Sequence, residues 1–149
     1  MTAIPFARTS AKYVLMMISA KGGVGKSTMT VNLAAALAAR GKRVGIFDAD
    51  LYGPNIPALL GIRQRANLDV KRSPETMFPI EARPDAMDMR PLQPFERYGM
   101  RIMSLALLVG ENQTIAPAAD AAGQVTAMLM RRVDWRDTDV LLIDMPPGT

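Results

Sequence analysis

The 149-residue sequence contains no cysteine and no histidine. Disulfides are therefore excluded, as is any metal centre built from thiolates or imidazoles of these residues. The cation ligands that remain are carboxylates, hydroxyls and carbonyls, a donor set that suits Mg²⁺. No apolar run reaches the roughly 18 residues needed to cross a bilayer, so no membrane span is expected. The first dozen residues lack the basic-then-apolar pattern of a secretory signal, which makes a cytoplasmic location the expectation. The net charge of +4 comes from scattered arginines rather than a basic block, so no nucleic-acid partner is expected. Internal repeats and low-complexity tracts are also missing.

What is present belongs to one ordinary domain. Hydrophobic residues make up 49% and charged residues 21% of the chain, the range of a globular protein with a single core. Residues 1–11 read as a short lead-in arm, and 12–149 as the domain. The apolar run "KYVLMMIS" (12–19) ends at a glycine-rich turn and reads as a fully buried strand. Residues 26–40, rich in Ala and Leu, predict a helix closed by Gly41; apolar residues on nearly all its sides predict cover from more than the sheet. "KRVGIFDAD" (42–50) supplies a second buried strand ending on two aspartates. "LYGPNIPALLG" turns through Pro54 and Pro57 into about one helical turn. Residues 62–76 read as a loop, and 77–98, broken by prolines around pieces such as "MFPIEA", as short strands or a hairpin. "MRIMSLALL" (100–108) predicts a strand, 118–133 a helix, and "TDVLLIDMPPGT" (138–149) a strand ending at Asp144 before a Pro/Gly turn. Strands alternating with helices at these spacings indicate an α/β layer fold with a mainly parallel sheet. The twelve methionines fall mostly inside these elements and read as core filling.

The chemistry concentrates in "KGGVGKST", Lys21, Gly22, Gly23, Val24, Gly25, Lys26, Ser27 and Thr28. A strand delivers the chain to a glycine turn whose successive amides point inward as a nest. The helix that begins near Lys26 adds its positive end. In this arrangement Lys26 reaches the β- and γ-phosphates of a nucleotide and the Ser27 hydroxyl ligates Mg²⁺. The pattern G-x-x-x-x-G-K-[ST] is met at Gly25, Lys26 and Ser27, with Ala20 in place of its first glycine. A dinucleotide fingerprint is the competing reading, with Asp48 as the ribose-binding acid. Thr28 at the third glycine position, and a Lys-Ser pair for which a dinucleotide has no use, argue against it.

Asp144 ends a strand of apolar residues and is placed to support Mg²⁺ through water beside the loop. Pro146, Pro147 and Gly148 form a stiff turn suited to sensing a γ-phosphate. Asp48 and Asp50, two apart and so on one face of a strand, both point to the nucleotide in this reading. Asp48 joins the metal set, and Asp50, further into the turn, orients the attacking water. The plain alternative for each is a strand-end carboxylate facing solvent.

"KGGVGKST" resembles the deviant phosphate loop of the MinD/ParA-like ATPases, in which the extra lysine, here Lys21, reaches across a dimer to the partner's nucleotide. Within that group "DADLYGPNIPALLG", "MSLALLVGENQ" and "DVLLIDMPPGT" are similar to the Mrp/ApbC family of iron–sulfur cluster carriers, over residues 12–149. The resemblance implies a P-loop ATPase that binds ATP and Mg²⁺, works as a homodimer and passes [4Fe–4S] clusters from an assembly scaffold to apo-proteins. Lys21 and Asp50 take catalytic parts in it. A MinD/ParA-like positioning ATPase without a cluster is the other reading. Two departures stand out. "IAPAAD" (115–120) replaces the family's Trp-Arg-Gly-Pro-Met run. The family's Cys-x-x-Cys has no counterpart in these residues, so the chain reads as an N-terminal portion with the rest of the sheet and the cluster ligands missing.

Overall fold

The computed structural model describes residues 10–62, 91–108 and 119–148. Five strands, β1 (Tyr13–Met17), β2 (Val44–Asp48), β3 (Phe95–Arg97), β4 (Met100–Ser104) and β5 (Val140–Asp144), form one sheet in the order β1-β5-β2-β4-β3. The β1–β5, β5–β2 and β2–β4 pairs are parallel, and only β3 runs antiparallel to its neighbour. Helices α1 (Lys26–Ala39), α2 (Ile56–Leu59) and α3 (Ala119–Arg132) flank the sheet. This is the mainly parallel α/β architecture that the alternation of elements predicts.

The pleat explains the two-sided core. Successive residues of a strand face opposite ways. Phe47, Met103, Leu141 and Ile143 therefore pack with Val125, Leu129 and Met130 of α3, and with Trp135. Their alternates Ile46, Ile102 and Leu142 pack with Ala34 of α1 and Ile56 of α2. β2 and β5 are buried along their whole lengths, which continuous apolar runs require in a parallel sheet covered on both faces. Gly45 is imposed by this packing: a Cβ there would lie 2.9 Å from the Trp135 ring.

Helix α1 ends as the sequence implies. The Gly41 amide donates to the Ala38 carbonyl and the Lys42 amide to Leu37, with Gly41 at a φ of 77°. That is a Schellman closure, which favours glycine at the left-handed position. The cover expected around α1 is only partly present. Thr30 and Ala34 are buried, whereas Met29 is exposed.

Two strand expectations are corrected. Residues 12–19 do not form a buried strand: β1 lies at the sheet edge, with Tyr13 67% and Leu15 42% exposed. Its apolar character follows from its two-faced place in a sheet, but the described residues cover it only in part, with Met17 packed against the core beneath α1. The strand expected over 100–108 stops at Ser104, because the Ser104 hydroxyl accepts from the Ala106 amide and turns the chain into a 3₁₀ turn, Leu105–Leu107. Of the proline-punctuated stretch 77–98, the described residues hold one short strand, β3, which pairs in a hairpin with β4 beyond it across Tyr98 and Gly99, both with positive φ. The "MFPIEA" piece, the loop at 63–76, nearly all of the N-terminal arm and residues 115–118 of "IAPAAD" lie outside the described residues.

Candidate functional site

The glycine loop leaves β1 and enters α1 at the carboxyl end of the parallel strands. Gly23 and Gly25 adopt φ of 74° and 88°, a left-handed geometry that turns consecutive amides to one side and that residues with a Cβ resist. Gly25 caps α1 and its carbonyl accepts from the Met29 amide. An added Cβ at any of the three loop glycines meets nothing within 4 Å. The loop is thus an open cradle whose surroundings leave room for a bound group. Val24, Lys21 and Thr28 are exposed at its rim, and Ser27 is half-buried on the first turn of α1.

Register lines up a polar row across the sheet. Met17 pairs with Asp144, Asp144 with Asp48, and Asp48 with Ser104. Lys26 comes back onto this row from α1. Its ammonium donates to Asp144 Oδ1 at 2.8 Å, with the two side chains 9% and 1% exposed. Thr30 Oγ1 lies 3.1 Å from the same oxygen and 3.0 Å from the Lys26 carbonyl. Asp144 Oδ2 is buried and has no hydrogen-bond partner among the described residues. A buried carboxylate oxygen left unpaired is costly. It lies beside a phosphate-type loop and belongs to a hard-oxygen donor set, which fits a site for Mg²⁺ or its coordinated water. No group of three or more acidic side chains able to hold a metal by themselves occurs among the described residues.

Asp48 and Asp50 do not share one open face. Asp48 is 1% exposed. Its Oδ1 accepts from the Asp50 amide at 3.2 Å, and its Oδ2 from the Ile56 amide at 3.3 Å and the Ser104 hydroxyl at 3.2 Å. Burial raises its pKa to about 7, reinforced by the neighbouring Asp144 charge and opposed by the three donors. Asp50 lies just past the strand, half-buried, and accepts from the Gly53 amide at 3.0 Å. β2 ends at Asp48, so the two-residue spacing no longer implies a common side.

Lys26 and Asp144, 118 positions apart in sequence, are thus brought into contact, with Ser27 next to Lys26 on the same first turn of α1. Lys21 stays at the rim, exposed. Two residues of the site escape the motif reading. Thr30 carries a signal in hindsight, since it lies one helical turn on from Lys26 and faces the same way. Ser104 carries none, because only strand register brings it beside Asp48.

A family model described as ParA, NUBPL iron-transfer P-loop NTPase, matches residues 10–149. The iron-sulfur cluster carrier protein of Helicobacter pylori is 38% identical over 93% of this chain and 33% of its own length. That of Methanocaldococcus jannaschii is 40% identical over 93% of this chain and 42% of its own length. The chain therefore spans between a third and a half of the length of these curated relatives. Among solved structures, a nucleotide-binding protein of Archaeoglobus fulgidus in complex with ADP superposes with a TM-score of 0.63. It is 35% identical, over 93% of this chain and 46% of that one.

Proposed function

The chain belongs to the ParA-type NUBPL family of iron-transfer P-loop NTPases, and from that premise we propose that it is the nucleotide-binding part of an ATP-hydrolysing iron–sulfur cluster carrier. The relatives' names as iron-sulfur cluster carriers and the ADP held by the Archaeoglobus protein support this reading. The observation that carries it is the Lys26–Asp144 contact at the mouth of the glycine loop, with Asp144 Oδ2 left unpaired.

The residues divide the work as follows. The amides from Gly22 to Ser27 cradle the phosphates, with Gly23 and Gly25 supplying the left-handed turns, and Thr28 continues the helix start. Lys26 exchanges Asp144 for phosphate oxygens, which are stronger anionic acceptors for an ammonium. Ser27 and Asp144 are the residues that would hold Mg²⁺, Asp144 through water, and the ion neutralises phosphate charge when bound. Asp50 orients the water that attacks the γ-phosphate. Lys21, projecting from the rim, reaches the nucleotide of a second copy in a homodimer. The cluster is cargo rather than a fixture of these residues, which offer neither thiolate nor imidazole; its recipients are apo iron–sulfur proteins. No helix among the described residues is long and apolar enough to cross a membrane, in keeping with work in the cytoplasm.

Iron and acid-labile sulfide, counted after anaerobic reconstitution of the full-length protein, test the carrier reading. One cluster shared by two copies supports it. A protein that dimerises with ATP and takes up no iron is a positioning ATPase instead.

A further inference from the structure

The three donors on Asp48 are unusual in their origin. One amide, that of Asp50, lies two residues on. Another, that of Ile56, lies eight residues on at the start of α2. The hydroxyl comes from Ser104 at the end of a different strand. A single carboxylate thus pins both ends of the 49–55 loop and ties that loop to β4. Ser104 passes the tie on, since its oxygen also accepts from the Ala106 amide in the turn after β4. Within the pinned loop, Asp50 is held in turn by the Gly53 amide, and the Asn55 side-chain amide donates to the Gly53 carbonyl at 2.7 Å. We propose that Asp48 is a positioning residue: a buried clamp that fixes Asp50 over the nucleotide site and, through Ser104, couples the loop after β2 to the turn after β4.

The chemistry requires an acceptor at both oxygens. All three partners are donors, so a side chain with one acceptor and one N–H₂ group meets a donor head-on whichever way it is turned. Burial removes water as a substitute partner. The clamp is therefore specific to a carboxylate, and a one-atom change opens it without altering side-chain size. Because both oxygens are occupied, the position of Asp50 depends on Asp48 even though the Asp48 carboxylate is itself buried.

The catalytic half of this inference rests on Asp50 as the water-orienting group; the clamp itself does not. Both are tested in the full-length protein at pH 8 by amide hydrogen exchange and steady-state ATP hydrolysis, in wild type, Asp48→Asn and Ser104→Ala. In wild type the Asp50 and Ile56 amides should exchange slowly compared with neighbouring exposed amides. In both variants exchange over 49–56 should accelerate about tenfold, the loss of one buried hydrogen bond, while α1 is unchanged. The kcat should fall roughly 10- to 100-fold, as for a displaced catalytic group, with the KM for ATP nearly constant. Wild-type amides that exchange at exposed-loop rates overturn the clamp without recourse to any variant. So does exchange that is unchanged, or faster throughout the protein, in Ser104→Ala. Faster loop exchange with kcat intact overturns the positioning role. A wild type that hydrolyses no ATP sinks the ATPase reading alone, and exchange still decides the clamp.

Discussion

Lys21 and Lys26 share one loop, yet one projects from the rim and the other is folded onto Asp144. The difference is where each stands relative to α1. Lys26 is its first residue and points back along the helix onto the strand ends, whereas Lys21 precedes the turn. Gly22 separates folding from binding in the same loop. Its φ is not in the left-handed region, and an added Cβ meets nothing within 4 Å. Gly22→Ala should therefore leave thermal stability within about 0.5 kcal/mol while weakening ATP binding, since in the proposed function phosphate takes up the open space beside the loop amides. Paired melting curves and ATP titrations check this. Asp48 gives a pH signature. Its folded pKa is raised from 3.8 to about 7, so the folded state holds a proton that the unfolded chain has released. The resulting stabilisation is fully present below about pH 4 and is lost as pH rises through 7, on the order of a few kcal/mol. Asp134 and Asp139, held below the usual carboxylate range by Arg136 and Arg43, act in the opposite sense and only below pH 4. Unfolding free energies between pH 4 and 8 should slope downward in wild type and flatten in Asp48→Asn.

At the scale of elements, β2 shows how far side-chain size is dictated by a neighbour. Trp135 lies across Gly45, meets Phe47 edge-on at 6.4 Å and donates its indole N–H to the Met130 carbonyl. Gly45→Ala forces the ring or the strand to move and should cost about 1–3 kcal/mol, read as a lower melting temperature with a shift in emission from the single tryptophan. The gain in β-propensity that alanine brings to a strand is too small to offset the clash. The strand–loop–helix unit and the strand ending at Asp144 were legible because apolar runs, glycines and a Lys-Ser pair report local geometry. What sequence could not reveal needs partners across the sheet. β1 reads as buried by its residues, but its exposure depends on which strands flank it. The early end of β4 depends on one serine hydroxyl. The separation of Asp48 from Asp50 depends on where the β2 ladder stops.

For the molecule as a whole, the glycine loop, Lys26, Asp48 and Asp144 lie at one end of the sheet, where the parallel strands finish. The opposite end is occupied by ordinary ion pairs, such as Arg43 with Asp139 and Asp137. Among the described residues the apolar edge at β1 is exposed and open to strand addition. The chain covers only a third to two-fifths of relatives such as those of H. pylori and M. jannaschii, and the part proposed for it is the one that binds and hydrolyses nucleotide. Calorimetric titration of Mg·ATP into the full-length protein and its Lys26→Ala variant tests that claim most directly. Removing Lys26 takes away a charge-assisted contact and leaves Asp144 uncompensated, so melting curves accompany the titration to confirm that the variant is folded. Binding by wild type, weakened roughly 10- to 100-fold in the folded variant, is the predicted result. Equal affinities in the two proteins would contradict it and remove the glycine loop from the nucleotide site.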